Sequence, residues 1–293
     1  MTHLNDKDIQ VSIVIPAYNE EKAIGEDIER IKKAMDQTDY RYEILVVDDG
    51  SSDETSRIAG EHGARVIRHD ENRGSGAARK TGIREARGDI IVMTDADGSY
   101  PNHVIPELLR FFPEYDQVIG ARREEKGTYR ILRSFAKLFI RKLAEFLVGK
   151  SIPDLNSGLR AFKKDIILKY LYLIPNGFSC VSSITLIFLT NGYRVKFVPI
   201  DYYKRIGESK FHPITDTYNY LLTVIRIITY FNPLKVFTPV SIFLFTVGIV
   251  KSIYDVISQG TLQESDIIII LSAVIIISIG MLADLIVTHG RRE

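Results

Sequence analysis

Up to about Lys235, short apolar runs alternate with stretches of helical spacing. Val11 to Ile15 is apolar and closed by Pro16, which predicts a strand. Glu20 to Met35 carries Ile24, Ile28 and Ile31 at helical spacing. Glu43 to Val47 reads as the next strand, and Thr55 to Gly63 as a helix with Ser51 or Ser52 as its N-cap. Ala64 to Arg68 predicts a short strand, Ser75 to Ala86 a helix rich in small residues, and Ile90 to Met93 another strand. Strands alternating with helices predict an α/β fold with a mostly parallel sheet covered on both faces. Ligands of such sheets bind beyond the carboxyl ends of the strands. Polar segments come directly after three of these strands: Pro16 to Glu20, Asp48 to Gly50, and Asp95 to Asp97.

Further along, the pattern changes twice. Tyr129 to Lys150 predicts an amphipathic helix, about 130–149. Ile131, Leu132, Phe135, Leu138, Phe139, Leu143, Phe146 and Leu147 lie on one side, and Arg130, Arg133, Lys137, Arg141 and Lys142 mostly elsewhere. It reads either as a helix lying on an anionic membrane surface or as a core-packing helix with a solvated basic face. Pro213 to Phe231 is a second candidate surface helix. After it the chain turns membrane-like, with spans expected at about 236–257 and 267–287 around the polar turn Ser258 to Asp266. The turn lacks Lys and Arg, whereas Arg226, Lys235, His289, Arg291 and Arg292 flank the outer ends, so both termini are expected in the cytoplasm. Asp284 inside the second span would be costly against lipid, which points to a partner helix and a homo-oligomer. The expected organisation is a catalytic unit over 1–212, a juxtamembrane helix over 213–235 and a membrane hairpin over 236–293.

Bulk composition narrows the classes. The chain has 293 residues and a formal net charge of +1, so no general nucleic-acid footprint is expected. Cys180 is its single cysteine, which excludes an intrachain disulfide. Met1 to Gln10 is polar and acidic, unlike a signal peptide.

Asp95-Ala96-Asp97 is the candidate chemical centre. Two carboxylates one residue apart at a strand's C-terminal edge reach one hard cation, Mg²⁺ or Mn²⁺, whose shell substrate phosphates usually complete. A diphosphate is then the natural leaving group. Tyr18 has the chemistry to stack on a base, and Asp49 to accept from a base N–H or a ribose hydroxyl; turn and capping chemistry is the other reading of Asp48 and Asp49. Asn72 to Arg79 has the glycines of a phosphate loop without the Gly-Lys-Ser/Thr ending, and small-residue packing accounts for it equally well.

Taken in order, Ile15 to Glu20, Val47 to Ser51, Asn72 to Gly74, Asp95 to Asp97, Gly120 to Arg122 and Asp154 to Arg160 resemble the family-two inverting glycosyltransferases. More narrowly they resemble the polyprenyl-phosphate group, the dolichol-phosphate mannose synthases and undecaprenyl-phosphate glucosyltransferases. The resemblance covers roughly Val11 to Phe237, plus the hairpin in kind. It implies a GT-A fold, a nucleotide-sugar donor (UDP- or GDP-hexose) and a polyprenyl phosphate acceptor. It implies that Pro16, Ala17, Tyr18, Glu20, Val47 and Asp49 line the nucleotide, and that Asp95, Ala96 and Asp97 hold metal and diphosphate. Arg122, Arg130 and Ser157 fall where the acceptor phosphate is met. Lys210 ends a Gly-x-Ser-Lys motif, and either Lys204 or Arg205 stands in for an upstream Arg that grips the diphosphate. Ser99 stands where relatives often carry Gln or His, which leaves a third metal ligand open. Asp154 either orients acceptor or sugar, or fixes Arg160 and the Asn156 to Gly158 loop.

A lipid phosphate is already an anionic nucleophile near neutral pH, so the expected catalytic task of Asp95, Asp97, Asp154 and Arg122 is alignment and charge screening rather than base catalysis. The sequence leaves open a catalytically inactive, membrane-anchored nucleotide-sugar-binding protein and a glycosyltransferase with a non-lipid acceptor. A processive polysaccharide synthase would carry a Gln-x-x-Arg-Trp motif, and the chain has no Trp.

Overall fold

A computed structural model describes residues 9–123, 131–177, 179–206 and 213–290; the side chains of 131–137, 139, 213–217 and 290 fall outside that description. Arg130 and Lys210 therefore lie outside the described residues, as do Arg291 and Arg292.

Seven strands form one sheet: β1 (Val11–Ala17), β2 (Tyr42–Asp48), β3 (Arg65–Arg68), β4 (Ile90–Met93), β5 (Gln117–Arg122), β6 (Arg160–Lys163) and β7 (Val195–Ile200), in the order β3-β2-β1-β4-β6-β5-β7. The pairs β1–β2, β1–β4, β2–β3 and β5–β7 are parallel, and β6 runs antiparallel to both β4 and β5. Every strand except β6 therefore points the same way and ends on one edge, while β6 begins there. This edge gathers the segments leaving β1, β2, β4, β5 and β7 and the segment entering β6.

The helices are α1 (Ile24–Met35), α2 (Thr55–Glu61), α3 (Ser75–Glu85), α4 (Ile105–Leu109), α5 (Ile131–Val148), α6 (Lys164–Leu168), α7 (Cys180–Thr190), α8 (Pro213–Phe231), α9 (Pro233–Gln259) and α10 (Glu264–Gly290). One sheet face, with Ile13, Ile15, Ile44 and Val46, packs on α1, α2 and α4. The opposite face, with Val14, Leu45 and Val47, packs on α3, α5, α6, α7 and α8. Cover on both faces is why these strands read as unbroken apolar runs.

Some local expectations shift. The first helix starts at Ile24 rather than Glu20. Neither Ser51 nor Ser52 caps α2; Asp53 Oδ1 accepts from the Thr55 N–H at 3.0 Å instead. In α5, Ile140, Ala144 and Leu147 are buried in the core, while Leu138 and Phe146 are exposed. The described part of this helix is thus a core-packing helix with apolar side chains left over outside.

Among the described residues, α9 and α10 are long and apolar enough to cross a membrane. They form an antiparallel hairpin directly after α8, joined through Asn232. Their outward residues, among them Phe243, Val250, Ile257, Ile275 and Leu285, are exposed and apolar. Between them, Gly248 abuts Ile269 and Ile270, Gly280 abuts Phe237, and Ser241 Oγ donates to the Ala273 carbonyl at 2.8 Å. Lys251 bridges Asp255 (2.5 Å) and Asp266 (2.6 Å), which explains the two charges that interrupt the first span. Lys251 stands roughly 27 Å along α9 from Pro233, near the far side of a hydrocarbon layer about 30 Å thick.

Candidate active site

The β1 and β2 ends are tied together before any ligand arrives. Asn19, held at φ 55°, accepts from the Ser52 N–H at 2.8 Å and donates its own N–H to Ser51 Oγ at 2.9 Å. The Glu20 N–H donates to Thr55 Oγ1 at 2.8 Å. This fixes the Pro16 to Glu20 turn, with Ala17 buried and Pro16, Tyr18 and Glu20 half-buried. Asp48 does turn chemistry: its Oδ1 accepts from the Ser51 N–H at 2.9 Å. Val47 is wholly buried in the core, so the expectation that its side chain lines a nucleotide is corrected.

Asp49 is almost wholly buried, and its carboxylate already has protein partners. It accepts from the Arg73 N–H at 3.1 Å and the Gly74 N–H at 2.8 Å, and sits 2.6 Å from His69 Nδ1. His69 Nε2 lies 2.9 Å from Thr81 Oγ1. Asp49 thus organises the Asn72 to Gly74 loop from beneath.

That loop is not a phosphate cradle. The Gly76 and Ala77 N–H groups, which an anion at the start of α3 would need, both donate to the Asn176 carbonyl, at 2.7 and 3.2 Å. A Cβ on Gly76 would stand 2.2 Å from the Pro175 carbonyl oxygen. The glycines let two backbone segments touch, so close packing, not anion binding, explains them.

The acid pair stands beyond β4, between two arginines. Asp95 is paired with Arg79 of α3, and its Oδ2 lies against Gly158, where a Cβ would come within 2.7 Å. Asp97 Oδ2 lies 2.8 Å from Arg205 Nη2, and its Oδ1 accepts from the Ser99 N–H at 3.0 Å and from the Ser99 hydroxyl. Burial pushes the Asp97 carboxyl above its usual range, the nearby Asp95 charge adds to this, and Ser99 and Arg205 oppose it. Ala96 between the two is buried.

Arg205 reaches this position because the segment after β7 runs alongside the acid loop. The Tyr203 N–H donates to the Ser99 carbonyl and the Ile206 N–H to the Asp97 carbonyl, both at 2.9 Å. Lys204 lines a cavity of about 650 Å³ with Arg30, Lys33, Gly98, His103 and Tyr203. Of the two candidates for a cation at the acid pair, the structure brings Arg205 there and not Lys204.

Of the reading in which Asp154 fixes Arg160 and the Asn156 to Gly158 loop, the structure shows the loop contact, with Asp154 Oδ1 accepting from the Asn156 N–H at 3.0 Å, and no bond to Arg160. Asp154 takes both arms of the Arg122 guanidinium at the end of β5, Nε to Oδ2 at 2.7 Å and Nη2 to Oδ1 at 3.0 Å. Against the upward push of burial, these bonds and the Arg122 charge hold the Asp154 carboxyl below its usual range. Arg122 also stacks over Tyr202, 5.1 Å from the ring centroid, and Tyr202 meets Tyr100 edge-on. Tyr100 Oη accepts from the Gly158 N–H at 2.6 Å.

Arg160, fully buried at the start of β6, bonds neutral acceptors: the Ser157 and Val181 carbonyls and Thr185 Oγ1. Burial pulls its pKa down to about 10. Asp95, Asp97 and Asp154 thus each hold one arginine, and a fourth guanidinium beneath Ser157 has no carboxylate bonded to it among the described residues. Four buried polar atoms in and beside these residues lack partners among the described residues: Ser75 Oγ, Arg79 Nε, Ser157 Oγ and Arg205 Nε.

No group of three or more His, Cys, Asp or Glu side chains gathers as a metal site among the described residues. Two carboxylates from one loop nevertheless fit a hard divalent cation that takes most of its shell from phosphate and water. Arg79 and Arg205 then stand where cations already balance the pair.

Sequence reading alone did not find Arg79, His69, Asp27 or Tyr202. Each sits on an element or loop whose neighbour across the sheet is distant in the chain. For Asp27 the signal was a carboxylate among the apolar positions of α1.

Residues 12–171 match the model of glycosyl transferase family 2, and residues 232–288 match that of the GtrB C-terminal hairpin. A dolichyl-phosphate hexose transferase of Haloferax volcanii is 33% identical over 208 residues, 69% of this chain and 87% of the relative. An undecaprenyl-phosphate 4-deoxy-4-formamido-L-arabinose transferase of Edwardsiella ictaluri is 32% identical over 211 residues, 69% of this chain and 62% of the relative. Among solved structures, glucosyl-3-phosphoglycerate synthase from Mycobacterium tuberculosis, in complex with Mn²⁺, UDP-glucose and phosphoglyceric acid, superposes with a TM-score of 0.57 at 19% identity, over 75% of this chain and 80% of that one. That likeness is one of fold. The family match covers more than half the chain and runs through every strand end that builds the site except that of β7, so the chain belongs to glycosyltransferase family 2, and its C-terminal part matches a GtrB C-terminal hairpin.

Proposed function

We propose that this protein moves a hexose from a nucleotide-diphospho-sugar to a polyprenyl phosphate at the membrane surface, with inversion at the anomeric carbon. The observation that carries the proposal is an arginine-flanked acid pair in the same chain as a two-helix membrane hairpin. Two relatives that align with 69% of this chain are named as a dolichyl-phosphate hexose transferase and an undecaprenyl-phosphate 4-deoxy-4-formamido-L-arabinose transferase.

In this reading Asp95 and Asp97 hold Mg²⁺ or Mn²⁺ together with the donor diphosphate. Such an ion supplies Lewis-acid screening of the departing diphosphate. Arg205 and Arg79 turn from the carboxylates towards the phosphates, completing their shells with the Nε groups that lack partners. The Pro16 to Glu20 turn holds the nucleoside, with Tyr18 against the base. Arg122, kept in place by Asp154 and Tyr202, meets the acceptor phosphate beside Ser157. Arg130 and Lys210 belong to the same acceptor and donor roles by resemblance. The phosphate oxygen attacks without a general base, because it is already anionic.

The catalytic unit and both termini face the cytoplasm in this proposal, supported by the basic residues flanking the outer hairpin ends and the turn lacking Lys and Arg. A homo-oligomer belongs to it on the strength of Asp284 alone, a half-buried carboxylate in the apolar part of α10.

The test is a panel of radiolabelled UDP- and GDP-hexoses offered with a short polyprenyl phosphate, with Mn²⁺, with Mg²⁺ and with chelator. A lipid-linked radiolabelled product for one donor, lost with chelator and in Asp97→Ala, is expected. Donor binding without product would favour the inactive-binder reading, and product only on a water-soluble acceptor would remove the lipid.

A further inference from the structure

Beneath the acid loop sits a carboxylate that the proposed chemistry does not use. Asp27, on the first turn of α1, is 1% exposed. Its Oδ2 accepts from the Gly98 N–H at 2.8 Å, and its Oδ1 accepts from Asn102 Nδ2 at 3.1 Å. Asn102, itself buried, accepts from Thr94 Oγ1 at 2.8 Å. Thr94 immediately precedes Asp95, and Gly98 immediately follows Asp97. One carboxylate on a neighbouring helix therefore ties together both ends of the loop that bears the acid pair.

The loop needs such a tie. Gly98 sits at φ +71°, where its N–H turns inward to the buried side, and Ile206 closes over it from outside. A buried N–H without an acceptor costs free energy, so the Asp27 bond selects this turn over alternatives that would leave Gly98 unpaired. The charges facing Asp27 are Glu26 and Arg30 on its own helix and Asp97 above it. Arg30 is engaged by Glu26 at 2.5 Å, so no basic side chain among the described residues forms an ion pair with Asp27, and its hydrogen bonds, not a salt bridge, hold it.

We propose that Asp27 is a positioning residue for the metal centre: through Gly98 and Asn102 it fixes the separation and orientation of the Asp95 and Asp97 carboxylates, and so sets the affinity for the divalent cation. This rests on the reading of the acid pair as a metal site. Outer-shell partners of ligating carboxylates commonly govern affinity by about 10- to 100-fold when they are replaced.

The experiment is Mn²⁺ binding to the purified full chain in detergent, followed by electron paramagnetic resonance in the presence of UDP, alongside the melting temperature and UDP binding without metal. Asp27→Asn keeps shape but presents an amide N–H either to Gly98 N or to Asn102 Nδ2, so one donor is left facing another. It is expected to weaken Mn²⁺ binding by about tenfold while metal-free UDP binding stays unchanged. The exchange Asp27→Asn with Asn102→Asp restores an acceptor opposite a donor and is expected to recover most of that loss. Where Asp27→Asn lowers the yield of folded protein, Asn102→Ala removes one arm of the tie and carries the same expectation. Mn²⁺ binding by both single variants equal to that of the unaltered chain would overturn the positioning role. So would a weakening of metal-free UDP binding as large as that of Mn²⁺. A chain that binds no Mn²⁺ before any substitution would remove the metal reading itself.

Discussion

Arg205 Nη2 stands 2.8 Å from Asp97 Oδ2, so a guanidinium holds a carboxylate of the pair proposed as the metal site. In the proposed reading, guanidinium and metal compete for one oxygen. Arg205→Ala is therefore expected to change two measurements in opposite directions. Mn²⁺ binding to the nucleotide-free protein should tighten several-fold, because a competitor is gone. Turnover of the nucleotide-sugar should fall by roughly 10²-fold, about 3 kcal/mol, because a cation aimed at the departing diphosphate is lost. Isothermal titration with Mn²⁺ and an initial-rate assay read these separately, and a fall in both would show that Arg205 only props the loop.

Gly158 offers a test of Asp95 that leaves both carboxylates in the sequence. A Cβ at this position would stand 2.7 Å from Asp95 Oδ2 and 3.1 Å from Tyr100 Cε2. The backbone accepts a side chain there, since Gly158 is not among the residues at positive φ, so the clash itself is what Gly158→Ala introduces. Overpacking of this kind costs about 1–3 kcal/mol of stability. The displaced Asp95 is expected to lose most Mn²⁺ affinity while Asp97 keeps its Ser99 and Arg205 partners. Unchanged Mn²⁺ binding in a folded Gly158→Ala protein would remove Asp95 from the ligand set.

How far the sequence alone reached has a physical explanation. The alternating pattern before Asp95 was readable because each strand there is buried on both faces and each helix has a single apolar stripe, as Ile24, Ile28 and Ile31 illustrate. The acid pair was readable because its two carboxylates are one residue apart in the chain. Partners were not. Arg79 meets Asp95 across 16 residues, Arg122 meets Asp154 across 32, and Asp27 meets Gly98 across 71. Such pairs depend on strand order, and the antiparallel β6 inserted between β4 and β5 leaves no periodic signature. The glycines of Asn72 to Arg79 misled for a related reason. Glycine marks a close approach without saying whether a phosphate or, as here, the Asn176 carbonyl does the approaching.

Asp27 also predicts a pH dependence with a definite sign. Burial pushes its carboxyl from 3.8 up to about 6, against the Gly98 hydrogen bond, which pulls it down. Between these two values the native state binds a proton that the unfolded chain has released, so stability falls as pH rises through this window. The shift corresponds to at most about 3 kcal/mol. Other carboxylates, Asp154 among them, are shifted the opposite way, so the readable quantity is a difference between two proteins. Melting followed by circular dichroism in detergent should show the unaltered chain gaining on Asp27→Asn as pH is lowered from 7 to 4. A gap between the two that does not change with pH would mean that Asp27 titrates normally.

Arg122 and Asp154 allow stability and function to be separated within one ion pair. Both side chains are about nine-tenths buried and share two hydrogen bonds. Removing Asp154 alone takes from Arg122 the carboxylate with which it shares two hydrogen bonds, and breaking such a pair costs about 3–5 kcal/mol. Replacing both partners with apolar residues of similar size is commonly near neutral, since two desolvation penalties vanish with one attraction. Asp154→Leu is therefore expected to lower the melting temperature sharply, and Arg122→Met with Asp154→Leu to recover most of it. Recovery of the fold should not restore transfer, because the guanidinium proposed to meet the acceptor phosphate is then absent. The loss should appear as a raised KM for the polyprenyl phosphate with donor binding intact. A double variant that transfers sugar at the original rate would make the pair purely structural and send the search for the acceptor's cation to Arg130.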